Sequence, residues 1–193
     1  LSIRRQRQMC IRDRENIDRK KSYVFVANHQ GAFDIFLIYG FLGVPIKWVM
    51  KAGIAKIPFV GAACRAAGFI FVDNSTPKAA ARSVLEAERS LKNGASVVVF
   101  PEGSRTYNGK MIRFKKGAYQ MAADQHLQIV PITLNGPFDV LPIGSLNIHR
   151  HKMEMVIHPP IPTEGMDASH KGLQQMADKT QDIIASALWE QYK

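Results

Sequence analysis

The chain has 193 residues, 46% of them hydrophobic, and a formal net charge of +10. This length and composition suffice for one globular domain with a sizeable core and exclude a disordered chain. The positive charge is typical of proteins that meet nucleic acid, anionic membranes or anionic substrates, and a merely solvated basic surface is the alternative. Because the sequence has no nucleic-acid-binding motif, we expect a membrane surface or anionic ligands as partners and no nucleic acid.

The first 14 residues differ from the rest of the chain, since five of them are arginine. The run from Met9 to Arg14 resembles translated sequencing-adapter sequence. We therefore predict that residues 1–14 are non-native, exclude them from fold reasoning and assign residues 15–193 to the natural domain. No apolar run reaches the roughly 20 residues of a membrane-spanning helix, so we expect any natural hydrophobic anchor to lie upstream of this chain.

Strand-like and helical patterns alternate after this segment. One helix is predicted to begin at Thr76 and Pro77, an N-cap hydroxyl followed by proline at the first helical position, and to end at Gly94. A second, amphipathic helix is predicted from Leu173 to Leu188. The alternation predicts a single-domain α/β sandwich with helices flanking a mostly parallel or mixed sheet. The predicted strands cover residues 23–27, 47–50, 69–72, 96–100, 128–134 and 153–157.

A histidine and an aspartate follow the first predicted strand, as His29 and Asp34. Histidine can take a proton near neutral pH, and a carboxylate bonded to its far ring nitrogen would fix its tautomer. Because five residues of regular helix rotate by about 140°, the chain must turn between the two, and Gly31 makes that turn inexpensive. No serine or cysteine nucleophile lies beside the pair, so the base would act on a substrate hydroxyl. A capping histidine and an aspartate at a helix N-terminus are the alternative.

A second polar motif follows the apolar run 97–100, and it contains Glu102, Gly103, Ser104 and Arg105. Gly103 permits a sharp turn, Ser104 can donate a hydrogen bond, and the Arg105 guanidinium suits a phosphate or carboxylate. Glu102 would order Arg105 or accept from a substrate hydroxyl. An ordinary strand exit with a Glu–Arg surface pair is the alternative. Because ligands bind outside the carboxyl ends of strands in open α/β sheets, the two motifs could converge on one site.

Four basic residues come after this loop. They predict either a solvated charged segment or a basic rim for phosphate, carrier protein or lipid head groups, in which Phe114 would anchor at an interface. The two readings have equal support from the sequence. The four residues are Lys110, Arg113, Lys115 and Lys116.

Four blocks, in their order along the chain, resemble the glycerolipid acyltransferase family, most closely the 1-acyl-glycerol-3-phosphate (lysophosphatidate) acyltransferases. The blocks are Asn28-His29-x4-Asp34 and residues 68–73, 100–106 and 129–132. The first and third blocks together are highly specific to this family. The other two blocks are weak evidence alone and support the resemblance because they occur in the same order along the chain. The resemblance implies a glycerolphosphate acyltransferase-like fold, with His29 as general base and Asp34 as its partner.

The resemblance also implies the residues that bind substrate. Glu102, Gly103 and Arg105 would help to bind the glycerol phosphate, and Lys51 would lie near the acceptor or the acyl group. Relatives often carry an arginine where this chain has Asn74, so the departure at Asn74 puts the acceptor head group in question. Ser104 and Lys116 complete the predicted substrate-binding set.

The implied reaction is transfer of a fatty acyl group from acyl-CoA or acyl-carrier protein to the free hydroxyl of lysophosphatidate, which gives phosphatidate. Such a reaction needs no acyl-enzyme and no cofactor. Acylation of another lysolipid, such as a lyso-ornithine lipid, is the nearest alternative. A non-catalytic lipid-binding relative and a hydrolase are the alternatives from other classes.

The remaining histidines and the two cysteines indicate neither a metal site nor a disulfide framework. His149 and His151 have no third ligand at metal-binding spacing, so we expect no metal site. Cys10 and Cys64 support no disulfide framework, which fits a reducing compartment. We expect the protein at the cytoplasmic face of a membrane, either peripheral or anchored through a missing N-terminal segment. The sequence leaves the acyl-chain length, the donor carrier and the oligomeric state open.

Overall fold

The computed structural model describes residues 9–73, 76, 79, 95–145 and 147–193. Seven strands within these ranges form one sheet. They are β1 (Met9–Arg12), β2 (Tyr23–Ala27), β3 (Ile46–Lys51), β4 (Ile70–Val72), β5 (Ser96–Val99), β6 (Gln128–Asn135) and β7 (Met153–Ile157). Their order across the sheet is β1-β7-β6-β2-β5-β3-β4. Every neighbouring pair is parallel except β6 and β7, which are antiparallel, so the sheet is mixed as predicted.

Helices cover both faces of this sheet. Within the described ranges they are α1 (Phe33–Phe41), α2 (Val60–Ala66), α3 (Gly117–Asp124), α4 (Pro137–Val140) and α5 (His170–Ser186). Single 3-10 turns occur at Arg14–Asn16, Ala52–Lys56 and Glu190–Tyr192. No helix in the described part of the chain is both long enough and apolar enough to span a membrane.

The central strand β2 explains why the fold has two cores. All five of its residues are buried, and alternate side chains point to opposite faces of the sheet. Val24 and Val26 pack in one core with α3 and α5. Phe25 and Ala27 pack in the other core with α1. A strand buried on both faces is typical of a parallel sheet between helical layers, and the predicted α/β sandwich is confirmed.

All six predicted strands are present, with ends that differ from the predicted ends by at most one residue. The C-terminal helix is also confirmed, as α5. The helix predicted to begin at Thr76 and Pro77 lies outside the described residues, apart from Thr76 and Ala79. Between these two, the Ala79 N–H donates to Thr76 Oγ1 at 3.1 Å, which is the hydrogen bond of an N-cap.

Strand β1 is the element that the sequence reasoning left out, because residues 1–14 were excluded from it. Met9–Arg12 pairs in parallel with β7, from Met9 opposite Met153 to Arg12 opposite Val156. These residues therefore form an edge strand of the sheet whose other strands lie within residues 15–193. That residues 1–14 are non-native stays a prediction.

A side chain extends the pairing of β2 with β6 beyond the end of β2. The Asn28 Nδ2 donates to the Leu134 carbonyl at 2.9 Å, and the Leu134 N–H donates to Asn28 Oδ1 at 2.8 Å. Asn28 is 1% exposed, and Leu134 is fully buried. The amide of Asn28 therefore replaces a backbone partner at the point where the chain leaves the sheet.

We expect Asn28→Ala to destabilise the fold. The substitution leaves the buried N–H and C=O of Leu134 unpaired, at a cost of about 2 to 3 kcal/mol in the free energy of unfolding. Urea denaturation of the variant and the parent measures this loss. Gln175→Ala, at an exposed position on α5, is the control and should change stability by less than about 0.5 kcal/mol. Equal stability of the two variants would contradict the role given to Asn28.

Candidate active site

The two sequence motifs meet because β2 and β5 are parallel neighbours. Val26 lies opposite Val99, so both strands end at the same edge of the sheet. The His29 N–H, after β2, donates to Glu102 Oε1, after β5, at 2.7 Å. The Thr106 N–H donates to the His29 carbonyl at 3.0 Å. The predicted convergence of the motifs is confirmed.

His29 and Asp34 form a direct pair. Their Nδ1 and Oδ2 atoms are 2.7 Å apart, and Asp34 is fully buried. The chain turns between them as predicted, with His29 before α1 and Asp34 in its first turn. The same Oδ2 accepts the N–H of Gln30 at 2.7 Å and the N–H of Gly31 at 2.9 Å. One carboxylate oxygen therefore fixes both the turn and the orientation of the imidazole.

The pairing decides which ring nitrogen of His29 can act on a ligand. Nδ1 is occupied by Asp34, whereas Nε2 has no hydrogen-bond partner in the described part of the chain. The His29 side chain is 17% exposed. A proton on Nδ1, facing Asp34, leaves the Nε2 lone pair free to accept a proton from outside. The geometry is that of a general base held by a carboxylate.

Burial sets the electrostatics of Asp34. It raises the pKa of Asp34 above its ordinary value, although the His29 ring and the amides of Gly31 and Gln30 act in the opposite direction. Asp34 Oδ1 is also buried, and it has no partner among the described residues. A carboxylate removed from water interacts strongly with a charge that develops on the adjacent imidazole. The Asp34 side chain is therefore placed to stabilise an imidazolium at His29.

Aromatic stacking fixes the plane of the His29 ring. The rings of His29 and Phe100 are nearly parallel, with an interplanar angle of 10° and centroids 4.0 Å apart. The indole of Trp48 stacks behind Phe100, at 5.6 Å. The sequence reasoning missed this role of Phe100, which it treated only as the end of a strand. The available signal was an aromatic residue at the end of the strand that neighbours β2.

Gly31 is required for a reason other than the predicted one. Its backbone does not have the positive φ that favours glycine. A Cβ at this position would instead lie 2.9 Å from the Pro137 carbonyl oxygen, in α4. The close approach of α4 to the His29–Asp34 turn is therefore what excludes a side chain. The prediction that Gly31 serves the turn through its conformational freedom is wrong.

The side chain of Glu102 in the second motif is buried inside the protein. It is 3% exposed, and its two oxygens accept one backbone N–H each, from His29 and Ile112, both at 2.7 Å. Burial raises the pKa of Glu102 to about 7. Within the described residues it makes no ion pair with Arg105. The alternative of a Glu–Arg surface pair is therefore not seen among the described residues.

Gly103 makes the predicted sharp turn, with φ +76°, and brings a lysine to the loop. A Cβ at Gly103 would lie 2.7 Å from Lys115 Nζ, so the Lys115 ammonium occupies the space that a side chain would fill. Ser104 is half-buried and Arg105 is exposed. The ammonium of Lys115 and the guanidinium of Arg105 have no anionic partner within the described part of the protein.

Two of the remaining predicted site residues, Lys116 and Lys51, lie in the described part of the chain. Lys116 Nζ contacts His170 Nε2 at the start of α5. The lysine that reaches the Gly103 turn is its neighbour, Lys115. Lys51 is exposed at the end of β3, which is the parallel neighbour of β5, so it lies at the same edge of the sheet as His29. Asn74 lies outside the described residues. Contact of these three residues with substrate stays a prediction.

Comparison with known proteins identifies the family to which the chain belongs. The model of the acyltransferase family matches residues 8–135. The chain is 38% identical over 139 residues to the chloroplastic 1-acyl-sn-glycerol-3-phosphate acyltransferase LPAT1 of Arabidopsis thaliana, which covers 72% of this chain and 39% of that protein. It is 31% identical over 157 residues to the human 1-acyl-sn-glycerol-3-phosphate acyltransferase alpha, which covers 81% of this chain and 56% of that protein. The chain thus spans about half the length of these relatives.

A solved structure has the same fold. The crystal structure of the 1-acyl-sn-glycerophosphate (LPA) acyltransferase PlsC from Thermotoga maritima matches with a TM-score of 0.77 and 29% identity, over 95% of this chain and 74% of that chain. The family model includes both motifs, and the fold agrees along nearly the whole chain. The chain therefore belongs to the acyltransferase family.

Proposed function

We propose that this protein transfers a fatty acyl group from acyl-CoA or acyl-carrier protein to the free hydroxyl of lysophosphatidate, which gives phosphatidate. The observation that carries the proposal is the His29–Asp34 pair, at 2.7 Å. Among the described residues, Nε2 of His29 has no hydrogen-bond partner, and Arg105 and Lys115 have no anionic partner. The names of the relatives in Arabidopsis thaliana and Homo sapiens support lysophosphatidate as the acceptor.

The proposed chemistry is a direct transfer within a ternary complex. His29 Nε2 removes the proton of the acceptor hydroxyl as the oxygen attacks the thioester carbonyl. The C–S bond then breaks, and His29 returns the proton to the leaving thiolate. Asp34 holds the ring and stabilises the imidazolium between these two steps. This sequence of steps requires neither an acyl-enzyme nor a metal or cofactor.

Arg105 of the second motif and Lys115, which reaches the Gly103 turn, would bind the acceptor phosphate. Arg105 offers a planar guanidinium that can contact two phosphate oxygens, and Lys115 adds a second positive charge at the Gly103 turn. Since neither has an anionic partner in the described part of the protein, no protein ion pair there has to break when a phosphate binds. Phosphate recognition next to His29 would place the glycerol hydroxyl near Nε2.

Exposed apolar side chains on α1 support a location at a lipid surface. Phe36 is 66% exposed, Tyr39 is 64% exposed and Ile35 is 42% exposed. They lie on α1, the helix whose first turn carries Asp34. Together with the net charge of +10, they suit an anionic membrane on the cytoplasmic side, whether the protein is peripheral or anchored.

A panel of lysolipids tests the function directly. Lysophosphatidate, lysophosphatidylcholine and a lyso-ornithine lipid are each offered with acyl-CoA and with acyl-carrier protein, and the products are identified by mass. Phosphatidate as the main product supports the proposal. A product only from an acceptor without a phosphomonoester would overturn the assignment of lysophosphatidate. Loss of the thioester without any acylated lipid would indicate a hydrolase.

His29→Ala should lower kcat by about 10²- to 10⁴-fold, because the general base is lost. Steady-state transfer to lysophosphatidate measures the effect, and circular dichroism checks the fold. His149→Ala, at an exposed histidine, is the matched control and should keep the parent rate. Transfer within tenfold of the parent by a folded His29→Ala protein would remove His29 from the mechanism.

Asp34→Asn should lower kcat at least tenfold, with both KM values nearly unchanged. The amides of Gln30 and Gly31 require an acceptor at the position of Oδ2, so the new side chain should place its oxygen there and keep the ring tautomer. The negative charge that stabilises the imidazolium is then lost. Asp182→Asn, exposed on α5, is the control. A parent-like kcat would reduce Asp34 to a residue that only shapes the turn.

Arg105→Ala should raise the KM for lysophosphatidate about tenfold or more and leave the KM for the acyl donor unchanged, because a charged phosphate contact is lost. Initial rates with each substrate varied in turn give both constants. Arg19→Ala removes an exposed arginine that precedes β2, at the opposite edge of the sheet, and should change neither constant. A rise in the donor KM alone would assign Arg105 to the donor site.

A further inference from the structure

The backbone of His29 lies where neither a strand nor a helix can pair it. Strand β2 ends at Ala27 and α1 begins at Phe33, so the N–H and C=O of His29 have no place in either element. Both are nevertheless hydrogen-bonded, the N–H to Glu102 Oε1 at 2.7 Å and the C=O to the Thr106 N–H at 3.0 Å. The position of the base is therefore held by the loop that follows β5.

Glu102 joins this backbone to a second segment. Its other oxygen accepts the Ile112 N–H at 2.7 Å, in the stretch that leads to Lys115. The Lys115 N–H donates to the Pro101 carbonyl at 3.0 Å, which attaches the same stretch to the start of the loop. One buried carboxylate thus connects the base to the segment that carries a proposed phosphate-binding cation.

We propose that Glu102 is a positioning residue that holds the His29 backbone and the segment at Ile112 in register, and that it does not bind the acceptor. The proposal rests on the proposed acyl transfer and deepens it. Both Glu102 oxygens already accept an amide, and only 3% of the residue is exposed to a ligand. Displacing either amide would break a backbone contact of Glu102, and loss of the His29 contact would disturb the base itself.

The chemistry of the contact explains why the residue is glutamate. Each of the two oxygens of Glu102 accepts one backbone N–H. Glutamine has only one oxygen, so its NH₂ group, which is a donor, would face one of these N–H donors. Aspartate keeps both oxygens but is shorter by one C–C bond, about 1.5 Å, and cannot reach both amides at hydrogen-bonding distance. Neither substitution preserves both contacts.

The test is Glu102→Gln, with Glu164→Gln as an exposed matched control. We expect kcat to fall at least tenfold, because the position of the base changes, while the KM for the acyl donor stays within about threefold. The control should retain the parent constants. A selective tenfold rise in the lysophosphatidate KM with kcat unchanged would overturn the proposal and make Glu102 an acceptor ligand.

A double-mutant cycle provides an independent outcome. If Glu102 acts through His29, adding Glu102→Gln to His29→Ala should cause no further loss of the residual rate. A further loss equal to that in the parent background would overturn the proposal. Where the residual rate is too small to measure, the split between kcat and KM in the single variant decides. If Glu102→Gln does not fold, Glu102→Asp undergoes the same kinetic test with the same criteria.

The cycle also separates this proposal from the proposed function. If His29→Ala alone keeps its activity, the assignment of the base fails, whatever Glu102→Gln gives. If His29→Ala is inactive and Glu102→Gln raises only the acceptor KM, the base stands and the positioning role of Glu102 fails.

Discussion

The site depends on the parallel pairing of β2 with a neighbour on each side. The side-chain amide of Asn28 continues the pairing toward β6, and the backbone of His29 continues it toward the loop after β5. The chain that leaves β2 is therefore fixed from both sides before α1 begins. A histidine at this position has little freedom, and stacking on Phe100 limits the remaining rotation of its ring. Such rigidity is what a general base needs to meet a substrate hydroxyl in one geometry.

Two buried carboxylates serve this arrangement in different ways. Asp34 gathers three donors on a single oxygen, one of them the His29 ring, and so its charge lies next to the imidazole. Glu102 accepts one backbone amide on each oxygen and has no contact with the ring nitrogens among the described residues. The first carboxylate can therefore act on the charge of the His29 ring, whereas the second holds the His29 backbone.

The elements with a clear local signal could be predicted from the sequence. The apolar run of β5 and the helical spacing of apolar residues in α5 each identify an element without knowledge of its neighbours. The His29–Asp34 pair could also be predicted, but only together with the second motif and the family resemblance, because its spacing alone is equally typical of a helix cap. The contacts of Glu102, Phe100 and Lys116 could not, since they depend on which residues face them across the fold. Gly31 illustrates the limit, because the residue that excludes its side chain is more than a hundred positions away.

The burial of Glu102 links the architecture of the site to proton uptake by the whole protein. Burial raises the pKa of this carboxyl from 4.5 to about 7, so between these pH values the folded chain keeps a proton that the unfolded chain releases. By proton linkage, the Glu102 contribution to folding is present below pH 4.5 and is lost as the pH rises toward 7. Ionisation of Glu102, whose two oxygens accept the two amides, thus lowers the free energy of unfolding. The two backbone N–H groups at Glu102 therefore meet a charged carboxylate only at pH values at which its burial lowers the stability of the fold.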